Sequence, residues 1–325
     1  MLLIEYNSLV NMCDSAPGMS PLHYAVLRND VRTVRVLLPF AYANMPDKEG
    51  KTPLLLCARS DNNTAVAEAL LTMREIDVNL ADAHGLRPLH EAAARGDHLL
   101  VSMLLQSIKT NVNVADNYGN LPLHSACAGM HPEVVQMILE RGRDPSIDAK
   151  NAEGCTPLLI LMRTFAMLQD PSMSNRIIAT LRHLLAHYAK PNFSDNDGRS
   201  ALMFINVDRA TREGSTDHEI AVTLVEAGAD PAILVKEQFL SKLKVAERDS
   251  VHYLVSMLNW HRPAPVERGM TSTLVEYVDV VADTWVVVRG NRGEARAPVG
   301  RANMDMESPL PTMQYPSRRV GRSGP

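Results

Sequence analysis

Apolar residues return along this chain at helical spacing, in short bursts separated by polar turns. Leu99, Leu100, Met103, Leu104 and Leu105 form one such face, Val66, Ala69, Leu70 and Leu71 another, and Val134, Val135, Ile138 and Leu139 a third. Each burst follows a second, thinner helical stretch that opens on proline, where the missing N–H of a first-turn residue costs nothing. After Pro88 that stretch holds Ala92, Ala93 and Ala94, small enough for another backbone to approach, and Gly96 ends it. Before it, Asp82-Ala83-His84-Gly85 reads as a tight turn, with Gly supplying the positive φ of a chain reversal. The pattern predicts a unit of hairpin-like turn, thin helix and leucine-rich helix.

That unit recurs. Its Pro-Leu marker stands at Pro21-Leu22, Pro53-Leu54, Pro88-Leu89, Pro122-Leu123 and Pro157-Leu158, and as Ala201-Leu202 in a sixth copy, in steps of 32, 35, 34, 35 and 44 residues. A period near 33 with a T-P-L-H-x-A kernel, as in Ser20-Pro21-Leu22-His23 and Leu121-Pro122-Leu123-His124, resembles the ankyrin repeat. The resemblance implies an all-α solenoid: a stack of helix pairs with β-hairpin-like turns, each pair burying its apolar face against the next. Six repeats are expected at 14–46, 47–81, 82–115, 116–149, 150–194 and 195–232.

The ends are less regular. Residues 1–13 overlay the second half of a repeat, from which the chain is expected to be a truncated or mis-started product. Repeats five and six carry extra residues near Thr164–Ser174 and Asp208–Thr216, both expected at the corner between the two helices, side by side. Residues 233–260 read as a degenerate helical cap. Residues 261–325, rich in Pro and Arg and without Lys, read as a mostly disordered C-terminal tail. Within that tail Leu274–Val288 is β-branched and apolar, open to three readings: a short strand, a partner-binding segment or translated non-native sequence.

Composition agrees with a solenoid: 325 residues, 46% hydrophobic and only 5% aromatic, suit a core of Leu, Ala, Val and Met. A net charge of −4 gives no global pull toward nucleic acid or anionic membrane, and no direct nucleic-acid partner and no membrane insertion are expected. Cys13, Cys57, Cys127 and Cys155 lack C-x-x-C spacing and read as reduced packing cysteines of a cytoplasmic or nuclear protein. The sequons at Asn62 and Asn192 are then expected to be bare.

Catalytic constellations do not emerge. His23, His90 and His124 share one repeat position, where the family's histidine bonds backbone near the hairpin. His183 and His187 stand at i and i+4 without an accompanying carboxylate or Cys at ligand spacing, and read as a surface pair. No enzyme activity, metal or cofactor is expected. What the resemblance implies is protein binding through hairpin tips and the exposed side of the first helices. Carried over copy by copy, the partner-binding places are Lys48, Glu49, Lys51 and Arg59 in repeat two, and His84, Leu86 and Arg95 in repeat three. Repeat four supplies Tyr118 and Asn120, repeat five Glu153, Cys155 and Arg163, and repeat six Asp197 and Arg199. Tyr118 with Arg59, Arg95 and Arg163 would make an aromatic, Arg-rich stripe suited to acidic segments. Asn11, Asn79 and Asn113, each after Val, match the family's pattern for asparagine hydroxylation; the competing reading is an Asn closing its turn onto backbone.

The function expected from this is a non-catalytic scaffold or adaptor for one or more proteins. Two alternatives stand beside it: a fragment of a larger ankyrin-bearing channel or enzyme, or an inhibitor of a DNA-binding factor.

Overall fold

The computed structural model describes residues 9–61, 63–142, 145–168, 170–235, 245–262, 275–281 and 284–290, in two units, Met1–Arg268 and Gly269–Pro325. Expectations for residues 1–8, for the apolar residues 239–243 of the cap and for most of the tail lie outside the described residues. In the first unit the helices come in pairs. These are α1 (Pro21–Leu27) with α2 (Val31–Leu37), α3 (Pro53–Arg59) with α4 (Thr64–Leu71), and α5 (Pro88–Arg95) with α6 (His98–Gln106). Next come α7 (Pro122–Ala128) with α8 (Pro132–Arg141), and α9 (Pro157–Leu168) with α10 (Ser174–Ala186). Short side chains with hydrogen-bonding tips start several of them: Asp30, Thr52, Asp97 and Thr156 each accept the N–H of the residue three places on, at 3.0–3.3 Å.

First helices pack on first helices and second on second, always between neighbouring repeats. The stack is all-α, as the resemblance implies. Leu22, Leu54, Leu89, Leu123, Leu158 and Leu202, the leucines of the kernel, are all buried, and Val66, Leu100, Val134 and Ile177 fill the layer behind them. Burying each such side chain contributes about 1.5–3 kcal/mol, so cohesion is spread evenly along the stack.

Two elements differ from the sequence reading. The extra residues of repeat five do not form a corner loop from Thr164 onward: α9 runs on to Leu168, and a 3-10 turn, Pro171–Met173, leads into α10. Apolar Phe165, buried against the core, gives the added turn of helix a reason to form. In repeat six the first helix is broken. A 3-10 turn, Ala201–Phe204, gives way to extended Ile205, and the chain restarts as α11 (Val207–Ala210), capped by Asn206 accepting from Arg209 N at 3.0 Å. Helix α12 (Thr216–Glu226) follows. The two corners do meet: Ser174 Oγ lies 2.7 Å from Thr216 Oγ1.

Beyond repeat six, a 3-10 turn (Pro231–Val235) and α13 (Val245–Asn259) close the described stack, with Val251, Leu254 and Leu258 buried. In the second unit, β1 (Val275–Val281) pairs antiparallel with β2 (Thr284–Gly290), Val275 opposite Gly290 and Val281 opposite Thr284. Within the stretch 274–288, the described residues 275–281 and 284–288 have strand backbone.

All four cysteines are free; Cys57, Cys127 and Cys155 are buried and Cys13 is exposed. Burial pushes the Cys57 thiol up to about 12 and the Cys127 thiol upward as well. We expect a thiol reagent to modify Cys13 at once and the other three only in denaturant; mass spectrometry of the native protein showing a second labelled cysteine would contradict this packing.

Candidate functional site

The hairpins of successive repeats are bonded to one another at their tips. Lys48 N donates to Pro17 O at 3.0 Å, Ala83 N to Glu49 O at 2.9 Å and Asn117 N to His84 O at 3.0 Å. Ala152 N and Asn196 N continue the series onto Tyr118 O at 2.9 Å and Glu153 O at 3.0 Å. Each hairpin is shaped by one side-chain oxygen that accepts two backbone N–H groups. Asp82 Oδ1 takes His84 N and Leu86 N, both at 2.9 Å, and Asp116 Oδ1 takes Tyr118 N and Asn120 N, both at 2.8 Å. A glycine follows at positive φ, as at Gly85 (φ 79°) and Gly119 (φ 79°). Six tips, joined by these five bonds, therefore present one continuous edge beside the first helices.

Along that edge Lys48, Glu49, His84, Tyr118, Glu153 and Asp197 are exposed, and Tyr118 keeps 66% of its surface. Lys51 and Leu86 are half-buried, and Lys51 pairs with Glu49. Asn120 is committed inward: its Nδ2 donates to Asp116 Oδ2 at 3.2 Å and its Oδ1 accepts from Asn151 Nδ2 at 2.8 Å. Arg199 pairs with Asp195 at 2.9 Å and Asp197 at 2.7 Å, its guanidinium 5.4 Å from the Phe204 ring centroid. Cys155 departs from the sequence reading, for it is fully buried and its carbonyl accepts from His124 Nε2 at 3.0 Å.

The arginine stripe needs correcting too. Arg59 lies 3.1 Å from Glu91 and 4.0 Å from Asp82, Arg95 is paired with Asp61, and Arg163 with Glu153. Asp61 and Glu91 are roughly one repeat away in sequence from the arginines they meet, so only stacking brings them within reach. Each pair adds little stability at such exposure, about 0–1 kcal/mol. Together they cancel the positive charge that an acidic segment would seek.

Between repeats four and five the groove deepens into a pocket of about 300 Å³. Tyr118, Asn120, Ser125 and Ala128 line it from repeat four; Glu153, Ile160, Arg163, Thr164 and Met167 line it from repeat five. Helix α9 has twelve residues where α7 has seven, and Thr164 and Met167 ride on the excess. Ser125, Ala128 and Met167 were not singled out by the sequence reading; the long step between the fifth and sixth kernels was the available signal.

The shared histidines are structural. His23 Nδ1 accepts from Ser20 N at 3.0 Å while its Nε2 donates to Lys51 O at 3.1 Å in the next repeat. His90 bridges Arg87 N and Asn120 O at 3.3 and 2.9 Å, and His124 bridges Leu121 N and Cys155 O at 3.1 and 3.0 Å. Among the described residues no group of three His, Cys, Asp or Glu is placed to hold a metal, and no helix is long and apolar enough to cross a membrane. His187 Nδ1 lies 2.9 Å from His183 O, so that ring caps its own helix. The asparagines of the repeat exits reach forward instead of closing their own turns. Asn11 Oδ1 accepts from Tyr42 N at 2.6 Å, Asn79 Oδ1 from Asn111 N at 3.1 Å and Asn113 Oδ1 from Ser146 N at 2.8 Å.

Residues 1–82 and 73–151 match the family model for ankyrin repeats. Ankyrin repeat domain-containing protein 13C of Homo sapiens is 32% identical over 110 residues, 33% of this chain and 20% of that protein. Its Danio rerio counterpart is 35% identical over 107 residues, 32% of this chain and 22% of that one. The chain thus spans about a fifth of the length of these relatives. Among solved structures, an ankyrin repeat domain from Acinetobacter baumannii AYE superposes with a TM-score of 0.55 at 26% identity, covering 64% of this chain and 98% of that one. The ankyrin repeat domain of Bcl-3, a member of the IkappaB protein family, gives 0.56 at 22% identity, covering 73% and 99%; that likeness is one of fold.

Proposed function

Because this chain belongs to the ankyrin-repeat family, whose repeats generally mediate protein–protein interaction, we propose that it is a non-catalytic scaffold or adaptor that holds a protein segment in its groove, in the cytoplasm or nucleus. The observation that carries this reading is the continuous edge of hairpin tips with a pocket of about 300 Å³ opening beside Tyr118. Exposed aromatic residues next to a concavity are where binding energy concentrates. The test is affinity capture from cells by the wild-type chain and by the Arg95→Ala, Tyr118→Ala double variant. Both side chains are exposed, so melting should be nearly unchanged, while recovery of the bound protein should drop about tenfold or more. Equal recovery would move binding off this surface.

A further inference from the structure

Resting on that scaffold reading, we propose that the segment held in the groove is uncharged where it crosses repeats four and five, and that it seats one large apolar side chain in the pocket between them. Repeat four puts Tyr118, Ser125 and Ala128 along this stretch, none of them charged. The charges nearest the pocket, Arg163 and Glu153, are already paired with each other. An acidic or basic side chain entering here would leave water without gaining a free partner, which is unfavourable. Met167 and Tyr118, by contrast, stand 78% and 66% exposed on facing walls, and the Ile160 side chain is buried below them. Only an apolar group in the pocket would cover both. The volume, about 300 Å³, sits at the lower end for ligand sites and suits one side chain better than a cofactor. The wall bearing Met167 exists because α9 outruns the first helices of the other repeats, which ties the pocket to this chain's own irregularity.

The experiment is selection of random displayed peptides on the full chain, followed by titration of one selected peptide. The expected result is a shared large apolar residue with no enrichment of Asp or Glu, and binding that changes little in high salt. Affinity should fall about tenfold or more in Ala128→Arg, which fills the pocket, and in Met167→Lys, which charges its wall. Both positions are exposed, and a melt of each variant checks that the fold is kept. Selected peptides that are acidic, weaken steeply with salt and depend on Arg59 or Arg95 would overturn this proposal while leaving the groove as the binding surface. Peptides indifferent to Ala128→Arg and to Tyr118→Ala alike would place binding elsewhere and sink the groove reading itself.

Discussion

Lowering the pH from about 7 to about 5 should weaken the helical stack, and the loss should track four histidine rings that must stay neutral. In His23, His90 and His124, Nδ1 accepts a backbone N–H, so the proton sits on Nε2, where it is donated to the next repeat. His131 is held in the same way between Ala94 O at 3.0 Å and Arg176 Nη2 at 2.6 Å, touching repeats three and five from repeat four. A second proton on any of these rings meets a donor already in place. Burial is the main cause that holds all four below the ordinary histidine value. Asp14 and Asp47 near His23, Asp116 near His90 and His124, and Glu133 near His131 pull the other way but do not prevail; Arg87 near His90 and Arg176 near His131 add to the lowering. A depressed pKa means the unfolded chain takes up protons first. The contribution is therefore complete above the unfolded value near 6.5 and is lost as pH falls toward the folded value. Denaturant midpoints measured across this window should decline. Replacing His90 by Ala should cost about 1–3 kcal/mol through the stranded carbonyl and N–H and should flatten part of the pH profile. A midpoint independent of pH from 7 to 5 would refute the neutral-ring account.

Gly85→Ala should be among the most damaging changes of a single small residue at the hairpins. Its φ of 79° costs an L-residue about 1–2 kcal/mol. The new Cβ would also stand 2.8 Å from Asn117 N and 3.1 Å from Asp116 C, backbone atoms of the next tip. The bond from Asn117 N to His84 O must then stretch, adding about 0.5–1.5 kcal/mol. Gly198→Ala is the internal control. Its φ is 75°, yet nothing lies within 4 Å of the added carbon, so only the backbone term remains. Equal losses of melting temperature for the two variants would show that tip-to-tip contact contributes nothing.

Much of this architecture was legible because each marker has a local cause. Pro88 opens a helix, Gly85 permits the turn, and the alternation of Ala92–Ala93 with Leu100–Leu104 sets which helix is thin; none of these needs knowledge of a distant residue. The role of His90 came with the family resemblance, and the structure gives its Nδ1 a partner three residues away and its Nε2 one in the next repeat. The charges of the groove were not. Arg59 meets Glu91 and Arg95 meets Asp61 only after stacking, and a charge written along the chain says nothing of what neutralises it across repeats. The corner of repeat five misled for a different reason. Excess length was assigned to a loop, whereas Phe165 had an apolar layer to join and carried the helix with it. In repeat six the kernel lacks its proline, and Ala201–Phe204 takes a 3-10 turn where the other copies hold an α-helix.

The forward reach of His23, His90 and His124, like that of Asn11, Asn79 and Asn113, has a bearing on how such a chain can change size. The bonds these side chains send out end on backbone of the following layer, and for the histidines that backbone is offered at the same place, as Lys51 O, Asn120 O and Cys155 O all are. Excising or duplicating a whole layer leaves donors and acceptors matched at the new junction, whereas a cut through the middle of one strands both. Gain and loss of length should therefore proceed in complete units, with a partial unit tolerated only at a terminus.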